Sequence, residues 1–383
     1  MSPFQPVPDP FPAKGPIPPG SPHFYEREEL FIRVQTLLRY GDSVSIVGER
    51  KAGKTSFINY LATHLPDTEF IPVLLDVQGV APGQDAQFLT ELILTSVGAI
   101  AEATDLPGDI APETPEADVT RVYRAFKADL DRYRPHLPKR ENGAKRKLVW
   151  LLDEIEMLRN YENTELFSFL RPIVQQDPDF RFVAAGHDIL YTITRESEWS
   201  PFFNAFSSVR LEGLSPTAAQ ALITDPLQQL GVALIDEAIP LILSWTGRKP
   251  YYLKWLLSIA VEVLNQEQAE STIITADTVR AVQARFFGKP DLSQHFAFFW
   301  NQASQHQQAI LQLMASQEES HDRKQIHDGL RDGELLEEGI TLSDLVLNLT
   351  RLVELGFLYE QAGSYTFTSE CLRDWIRTNR PLD

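Results

Sequence analysis

The sequence predicts an α/β fold, with a parallel sheet covered by helices on both faces and two smaller, mainly helical regions after it. Between residues 42 and 212, short apolar runs of strand length alternate with segments of helical periodicity. This order of elements builds a parallel sheet with crossover helices. Beyond residue 213 the pattern is helical, and a single short hairpin follows near the end. The expected organisation is a proline-rich segment (1–22), an α/β core (23–212), a helical domain (213–288) and a C-terminal domain (289–383).

Hydrophobic periodicity and stop signals place the elements of the α/β core. Residues 1–22 contain too much proline for a helix or a central strand, and we expect them to be extended. The predicted helices are 23–41, 54–65, 85–104 and 118–134. The predicted strands are 42–47, 70–78, 148–152, 180–187 and 207–214. The strand 70–78 is almost continuously apolar, so we expect both of its faces to be buried.

The segment VGERKAGKTS (47–56) lies between a predicted strand and a predicted helix and has the spacing G-x-x-x-x-G-K-[ST]. Glycines allow positive φ and close backbone approach, so consecutive N–H groups can point at phosphate oxygens. The dipole of the following helix favours the same anion. We therefore predict a phosphate-binding loop, in which Lys54 reaches the β- and γ-phosphates and faces solvent when the loop is empty. The predicted loop residues are Gly48, Glu49, Arg50, Lys51, Ala52, Gly53, Lys54, Thr55 and Ser56.

Two carboxylates directly follow the apolar strand Leu148–Leu152. A buried parallel strand that ends in acids places them at the carboxyl edge of the sheet, where α/β folds bind ligands. Asp153 is expected to hold Mg²⁺ together with the Thr55 hydroxyl, since this ion keeps most of its waters and needs few protein ligands. Glu154 is expected to polarise an attacking water. His187, at the end of the next strand, is either a γ-phosphate contact or a turn residue.

After residue 213 the sequence predicts a compact set of helices without strands. Ser215 and Pro216 have the residue types of an N-cap and a first helical position. The predicted helices are 216–224, 234–245, 250–268 and 276–287. The turn TGRKP (246–250) separates two of them and is placed to lean over a nucleotide. Arginines that could complete the site are Arg171, Arg195, Arg210 and Arg248, and the sequence does not choose among them.

The last part of the chain predicts a winged helix. Helical segments at 304–315 and 341–356 precede a hairpin at 357–368, whose turn is Ala362-Gly363, and a closing helix follows. Helices followed by a hairpin are typical of this fold.

Composition limits the classes of function. The net charge is −18, which argues against nonspecific nucleic-acid binding because such binding is driven by cationic surface. The single cysteine, Cys371, excludes an internal disulfide framework and fits a reducing compartment. No apolar run reaches the roughly 18 residues that a membrane span needs. We expect a cytoplasmic protein that does not bind membranes.

Together these segments resemble P-loop ATPases of the AAA+/STAND clade, especially bacterial AAA-like ATPases related to origin-recognition ATPases. The phosphate loop and LVWLLDE (148–154) correspond to the Walker A and Walker B motifs. FYERE (24–28) resembles the element beside the adenine, which implies nucleotide contacts from Phe24, Tyr25 and Arg27, although Glu26 replaces the usual glycine. TGRKP resembles the lid motif and implies a contact from Pro250. The resemblance implies ATP or ADP with Mg²⁺ as cofactors and slow, regulatory ATP hydrolysis.

Three functions compete on this basis. The resemblance implies a nucleotide-dependent switch. Such a switch would regulate a protein partner or an effector that acts in trans, or it would assemble into a homo-oligomer. The alternatives are an ATP-regulated DNA-binding protein of the origin-recognition or transposition type and a nucleotide-holding scaffold with negligible turnover. Residues 289–383 contain eight Lys and Arg against fifteen Asp and Glu, a net charge of −7. Because a domain that reads DNA should be basic, charge favours the switch over DNA binding.

Overall fold

The computed structural model describes residues 6–382 except for 12–14, 19–20, 22–23, 26, 81–84, 105–110, 117–120, 161–163, 187–204, 268–271, 318–319, 334 and 336–339. The chain forms two compact units. The sheet unit consists of Pro16–Gly48 and Gly53–Leu211. The C-terminal unit consists of Met1–Gly15, Glu49–Ala52 and Glu212–Asp383, and so includes the tip of the predicted phosphate loop. A separate lid (213–288) and winged-helix domain (289–383) remain a prediction.

A five-stranded, fully parallel sheet organises the sheet unit. Its strands are β1 (Val44–Val47), β2 (Phe70–Asp76), β3 (Lys147–Asp153), β4 (Phe180–Gly186) and β5 (Ser207–Arg210). They are arranged in the order β2-β3-β4-β1-β5. The strand that leads into the phosphate loop, β1, lies between β4 and β5, and all five strands end at the same edge of the sheet. The predicted parallel sheet is confirmed.

Helices flank this sheet. They are α1 (Glu28–Tyr40), α2 (Lys54–His64), α3 (Asp85–Ala103), α4 (Val122–Tyr133) and α5 (Thr164–Gln176). The first helix begins at Glu28, later than predicted, and ends as expected at Gly41, whose φ of 95° is left-handed. The core contains the buried ring of Trp150, which stacks on Phe180 at 5.2 Å between centroids. Its indole N–H donates to the Ser96 hydroxyl at 2.7 Å, so the buried polar atom is satisfied.

One face of β2 is partly exposed, so the expectation that both of its faces are buried was wrong. Leu74 is 39% exposed, while Phe70 and Val73 are buried. Among the described strands, β2 pairs with β3 alone and lies at the edge of the sheet. A run of apolar residues does not by itself show whether both faces of a strand are fully covered.

The C-terminal unit begins with four helices. They are α6 (Pro216–Gln229), α7 (Ala238–Thr246), α8 (Pro250–Gln266) and α9 (Ala276–Phe286). Two short parallel strands, β6 (Ala233–Leu234) and β7 (Ile273–Ile274), pair with each other, so the expectation of helices without strands was wrong. A two-residue strand carries too little periodicity to be recognised in a sequence.

The rest of this unit combines helices with a short antiparallel sheet. Its helices are α10 (Pro290–Trp300), α11 (Gln305–Ser316), α12 (Arg323–Asp332), α13 (Leu342–Leu355) and α14 (Glu370–Asn379). Its strands are β8 (His321–Asp322), β9 (Leu358–Gln361) and β10 (Ser364–Phe367), in the antiparallel order β8-β10-β9. The predicted hairpin turns at Ala362 and Gly363, which both have positive φ. None of the helices in the described ranges is long and apolar enough to cross a membrane.

The described residues of the proline-rich segment lie in neither helix nor strand and are held by specific contacts. In the C-terminal unit, the Asn265 amide both accepts from the Val7 N–H at 2.8 Å and donates to its carbonyl at 2.9 Å. Phe11 is 2% exposed. In the sheet unit, the Ile17 N–H donates to the Ser56 hydroxyl at 3.0 Å. The backbone of the segment thus depends on side chains for hydrogen bonds that a helix or a sheet would otherwise provide.

Candidate nucleotide-binding site

The loop between β1 and α2, predicted to bind phosphate, contains two residues with left-handed backbone. Gly53, directly before α2, has a φ of 97°, and Lys51 has a φ of 69°. A Cβ added at Gly53 would meet no atom within 4 Å, so the positive φ and not crowding explains this glycine. Left-handed residues within a loop turn successive N–H groups towards a common point, as an anion-binding site needs.

Lys54, the first residue of α2, lies within the loop. Its ammonium group donates to the carbonyl of Gly48 at 2.9 Å. The residue is 8% exposed, so the expectation that it faces solvent was wrong. The hydrogen bond joins the two ends of the predicted phosphate loop and places the cation where the loop curves.

Thr55 and Asp153 meet, as their predicted shared role requires. Thr55 is the second residue of α2, and Asp153 ends β3. Their side chains are hydrogen-bonded. Asp153 is 6% exposed. Burial raises the pKa of Asp153, the hydrogen bond with Thr55 lowers it, and the charges of Glu154 and Asp76 raise it. A hydroxyl and a carboxylate in contact are hard oxygen donors that suit Mg²⁺.

Glu154 has an unusual backbone conformation. Its φ is 52°, which is uncommon for a residue other than glycine. The carbonyl of Glu154 accepts from the Met157 N–H at 3.0 Å in the 3₁₀ turn Ile155–Asn160, which fixes this conformation. The residue is half-buried. Strained backbone of this kind costs about 1–3 kcal/mol and is concentrated at functional sites.

Asp76 is an acidic residue of this edge that sequence reasoning missed. It ends β2 and lies opposite Asp153 in the register of the sheet. Its carboxylate accepts from the Gln78 N–H at 2.9 Å, and the residue is exposed. The signal was available, because Asp76 follows an apolar run just as Asp153 does. No group of three or more His, Cys, Asp or Glu within the described ranges has the geometry of a complete metal site.

The predicted adenine-side residues lie before α1, in the sheet unit. The ring of Phe24 stacks on Tyr60 of α2 at 4.5 Å between centroids. Tyr25 and Arg27 are both half-buried, and burial lowers the pKa of Arg27 to about 10. Glu26, which replaces the usual glycine of the family, lies outside the described residues. Phe24 thus attaches this element to the helix that follows the phosphate loop.

The remaining predicted loop residues differ in their surroundings. The Ser56 hydroxyl accepts from Ile17, so its side chain serves the N-terminal segment. Ala52 is buried. Within the C-terminal unit, Glu49 forms an ion pair with Lys249, and Arg50 lies over the ring of Phe298 at 4.8 Å. The ammonium group of Lys51 lies 5.8 Å from the ring centroid of Tyr251.

The other candidates are placed as follows. Pro250 is the first residue of α8 and directly follows Lys249. Arg248 has a positive φ of 57°, Arg210 ends β5, and Arg171 donates to Gln175 on its own helix at 3.1 Å. His187 and Arg195 lie outside the described residues, so their predicted roles remain predictions.

Comparisons with known proteins identify the family and the fold of this chain. The family model of novel STAND NTPase 2 matches residues 111–320, more than half of the chain. No curated protein matches the sequence. A Walker-type ATPase of Pyrococcus abyssi has a similar structure, with a TM-score of 0.61 and 14% identity, over 94% of this chain and 98% of that one. The Aeropyrum pernix ORC2 protein, solved as ADPNP-ADP complexes, gives a TM-score of 0.55 and 14% identity, over 96% and 97%.

At this level of identity the two structures establish a shared fold and no more. The family match covers β3, with Asp153 and Glu154, and extends into the C-terminal unit, but it does not include the phosphate loop. The prediction of a phosphate loop instead rests on its motif and its backbone. The predicted membership of the P-loop ATPases of the AAA+/STAND clade is confirmed, and the chain belongs to the novel STAND NTPase 2 family.

Proposed function

We propose that this NTPase binds ATP with Mg²⁺, hydrolyses it slowly, and uses the ATP and ADP states to regulate or assemble with a protein partner. The hydrogen bond between Thr55 and Asp153 carries the proposal, because it brings the Walker A hydroxyl and the Walker B carboxylate together beside a glycine loop. Family membership supports the NTPase chemistry.

Each residue of the site has a distinct part in this proposal. The N–H groups of residues 48–56 and the Lys54 ammonium bind the phosphates, while Thr55 and Asp153 hold the cation. The cation neutralises charge on the phosphates when it is bound. Glu154, directly after β3, orients the attacking water. Tyr25, Arg27 and Pro250 contact the base, and His187 remains a candidate for the γ-phosphate.

The proposal of a protein partner is supported by the surface of α13, the helix of a winged helix that would read DNA. Leu342 and Leu347 are 58% and 68% exposed, and Asp344 on the same helix is also exposed. Arg351 is its single basic residue, and its guanidinium lies 3.5 Å from Glu354. A helix of this composition offers little to a phosphate backbone, which is bound mainly by Lys and Arg.

Calorimetric titration with Mg-ATP and Mg-ADP tests the nucleotide site. Thr55→Ala should remove the Mg²⁺ dependence of ATP binding, because the hydroxyl would be lost from the metal site. Thr63→Ala is the matched control on the same helix, since its hydroxyl bonds only to carbonyls of its own turn and to His64. Equal Mg²⁺ dependence in the two variants would contradict the site.

Phosphate release and light scattering test turnover and assembly. We expect slow phosphate release by the wild-type protein, and a scattering mass that differs between ADP and a non-hydrolysable ATP analogue when the switch works by self-assembly. Binding without phosphate release and without any change in mass or conformation would favour the nucleotide-holding scaffold instead.

A further inference from the structure

A buried ion pair holds the tip of the phosphate loop in the C-terminal unit. The ammonium group of Lys249 lies 2.8 Å from the carboxylate of Glu49, and the side chains are 7% and 10% exposed. Most other ion pairs of the described structure are more exposed, as in Arg280–Asp277, with 63% and 90%. Burying two charges costs several kcal/mol per ion before their attraction is counted. Such a pair needs further hydrogen bonds to be favourable.

Lys249 has such a further partner in the C-terminal hairpin. Its ammonium group also donates to the Thr368 hydroxyl at 2.7 Å. That hydroxyl donates in turn to the carbonyl of Gly356 at 2.7 Å. Gly356 is the left-handed residue that ends α13, and Thr368 directly follows β10. A chain of polar contacts thus links Glu49, through Lys249 and Thr368, to both ends of the β9–β10 hairpin.

The backbone around Lys249 leaves it little freedom. Gly247 has a φ of 61°, and a Cβ added there would lie 2.1 Å from the carbonyl oxygen of Thr368. The turn TGRKP is therefore pressed against the same residue that Lys249 contacts. A cation before the first turn of α8 is disfavoured by the helix dipole, so this lysine does not stabilise its own helix. Its charge is instead compensated by Glu49.

We propose that Lys249 is a positioning residue for the phosphate loop: by holding Glu49 it couples the conformation of residues 49–52 to Thr368 and the C-terminal hairpin. The inference rests on the proposed nucleotide binding and adds the route by which binding is transmitted. When phosphates bind the loop, they reorient its peptide groups. The buried ion pair changes the free energy of this reorientation, because it holds Glu49 in one position. By linkage, the coupling free energy is the same in both directions, so the nucleotide must also shift the conformational equilibrium of the hairpin.

Substitutions that remove one charge should uncouple loop and hairpin. Lys249→Met and Glu49→Gln should each change the dissociation rate of a fluorescent ADP analogue by about 5- to 100-fold, in the same direction. The double variant should show no further change, because both substitutions break the same interaction. The exchange Glu49→Lys with Lys249→Glu should restore at least part of the wild-type rate, which a merely structural loss would not allow.

Hydrogen exchange of residues 356–369 provides a readout away from the nucleotide. In the wild-type protein, ADP should change protection of this segment, and in Lys249→Met the change should disappear. Thr368→Val keeps the side-chain shape and removes the link, so it should also abolish the change. Lys289→Met is the matched control, because Lys289 likewise precedes a helix-starting proline and pairs with Glu262, at 32% and 47% exposure.

The outcomes separate the two levels of the inference. If the wild-type protein does not bind nucleotide, or if its binding does not depend on Lys54, both the proposed function and this role of Lys249 are overturned. If nucleotide binding is normal but the effects of the two single substitutions are additive, only the coupling is overturned. The same holds if the nucleotide response of residues 356–369 is unchanged in both Lys249→Met and Thr368→Val.

Discussion

The side chains of Thr55 and Asp153 are hydrogen-bonded across the carboxyl edge of the sheet. Thr55 is delivered by the helix after β1, and Asp153 by the end of β3, while β4 lies between these two strands. The parallel order of the strands therefore brings together two residues that are far apart in sequence. Burial, and to a smaller extent the charges of Glu154 and Asp76, raise the pKa of Asp153. A cation bound to the carboxylate would relieve the repulsion from these two acids.

Asp153→Asn should abolish Mg²⁺-dependent ATP binding while it raises the stability of the nucleotide-free protein. The pKa of Asp153 is raised in the folded state, so the folded protein binds this proton more tightly than the unfolded chain does. The ionised carboxylate consequently costs stability as the pH rises from the unfolded pKa through the folded pKa, and the cost is fully present above the folded pKa. We expect a gain of about 0.5–2 kcal/mol.

Thermal unfolding of Asp153→Asn without nucleotide, at pH 4 and pH 7.5, checks this expectation. The stabilisation relative to wild type should be larger at pH 7.5 than at pH 4, because the stability cost of a raised carboxyl pKa grows with pH. A lower melting temperature at pH 7.5 would contradict the electrostatic account of this site.

Lys54→Met should weaken ATP binding by about 100-fold or more, since charge-assisted hydrogen bonds to phosphate are the strongest polar contacts of such a site. The substitution keeps most of the apolar stem of a residue that is 8% exposed. Circular dichroism should therefore be unchanged. Undiminished affinity in calorimetry, with an intact spectrum, would refute the phosphate-loop assignment.

Ser56→Ala should lower stability and leave nucleotide binding nearly unchanged, whereas Thr55→Ala should mainly affect Mg²⁺-dependent ATP binding. The Ser56 hydroxyl is buried and accepts from Ile17, so its loss should cost about 1–3 kcal/mol of stability. Nucleotide affinity should change less than threefold, because a contribution of this residue to binding would come from its N–H group. Denaturant unfolding and calorimetry on both variants compare the neighbours directly, and a large loss of ATP affinity in Ser56→Ala would place its hydroxyl in the site.

Local patterns predicted the phosphate loop, the acids after β3, Gly41 as a helix stop and the hairpin turn, because each depends on adjacent residues. The helix α5 was not predicted, and its interior proline, Pro172, explains why the pattern was not recognised. The role of Lys249 was also invisible. Its partner Glu49 is distant in sequence, and a lysine in a turn is normally solvated, so only the fold shows that the two charges are buried together.

Duplex DNA should not bind appreciably at about 150 mM salt. The prediction rests on the net charge of −7 over residues 289–383 and on the exposed leucines of α13. Phosphate contacts from Lys and Arg supply most nonspecific affinity, and that affinity falls steeply with salt. A gel-shift assay at about 50 and 150 mM salt, with and without ATP, is the measurement. Submicromolar binding at the higher salt would make the ATP-regulated DNA-binding protein the better proposal.

Glu154→Gln should keep nucleotide binding and reduce phosphate release by about 10²- to 10⁴-fold, the usual contribution of a positioned general base. The amide keeps the shape of the side chain at its φ of 52°, and Asp153, the expected metal ligand, is unchanged. Glu165→Gln is a suitable control, because Glu165 lies in the first turn of α5 and has no assigned role. Wild-type turnover in Glu154→Gln would remove Glu154 from catalysis.

The same variant should accumulate the ATP-bound state and so expose the conformational change of a switch. A nucleotide shifts the equilibrium between two conformations of a protein only if it binds them with different affinities. In a switch, the protein trapped with ATP should therefore differ in conformation from the ADP-bound protein. We expect the difference in residues 213–290, which include TGRKP and the start of α8, and it should be visible by hydrogen exchange with ATP against ADP. Identical exchange in the two states, together with an unchanged mass in solution, would mean that the protein holds its nucleotide without switching.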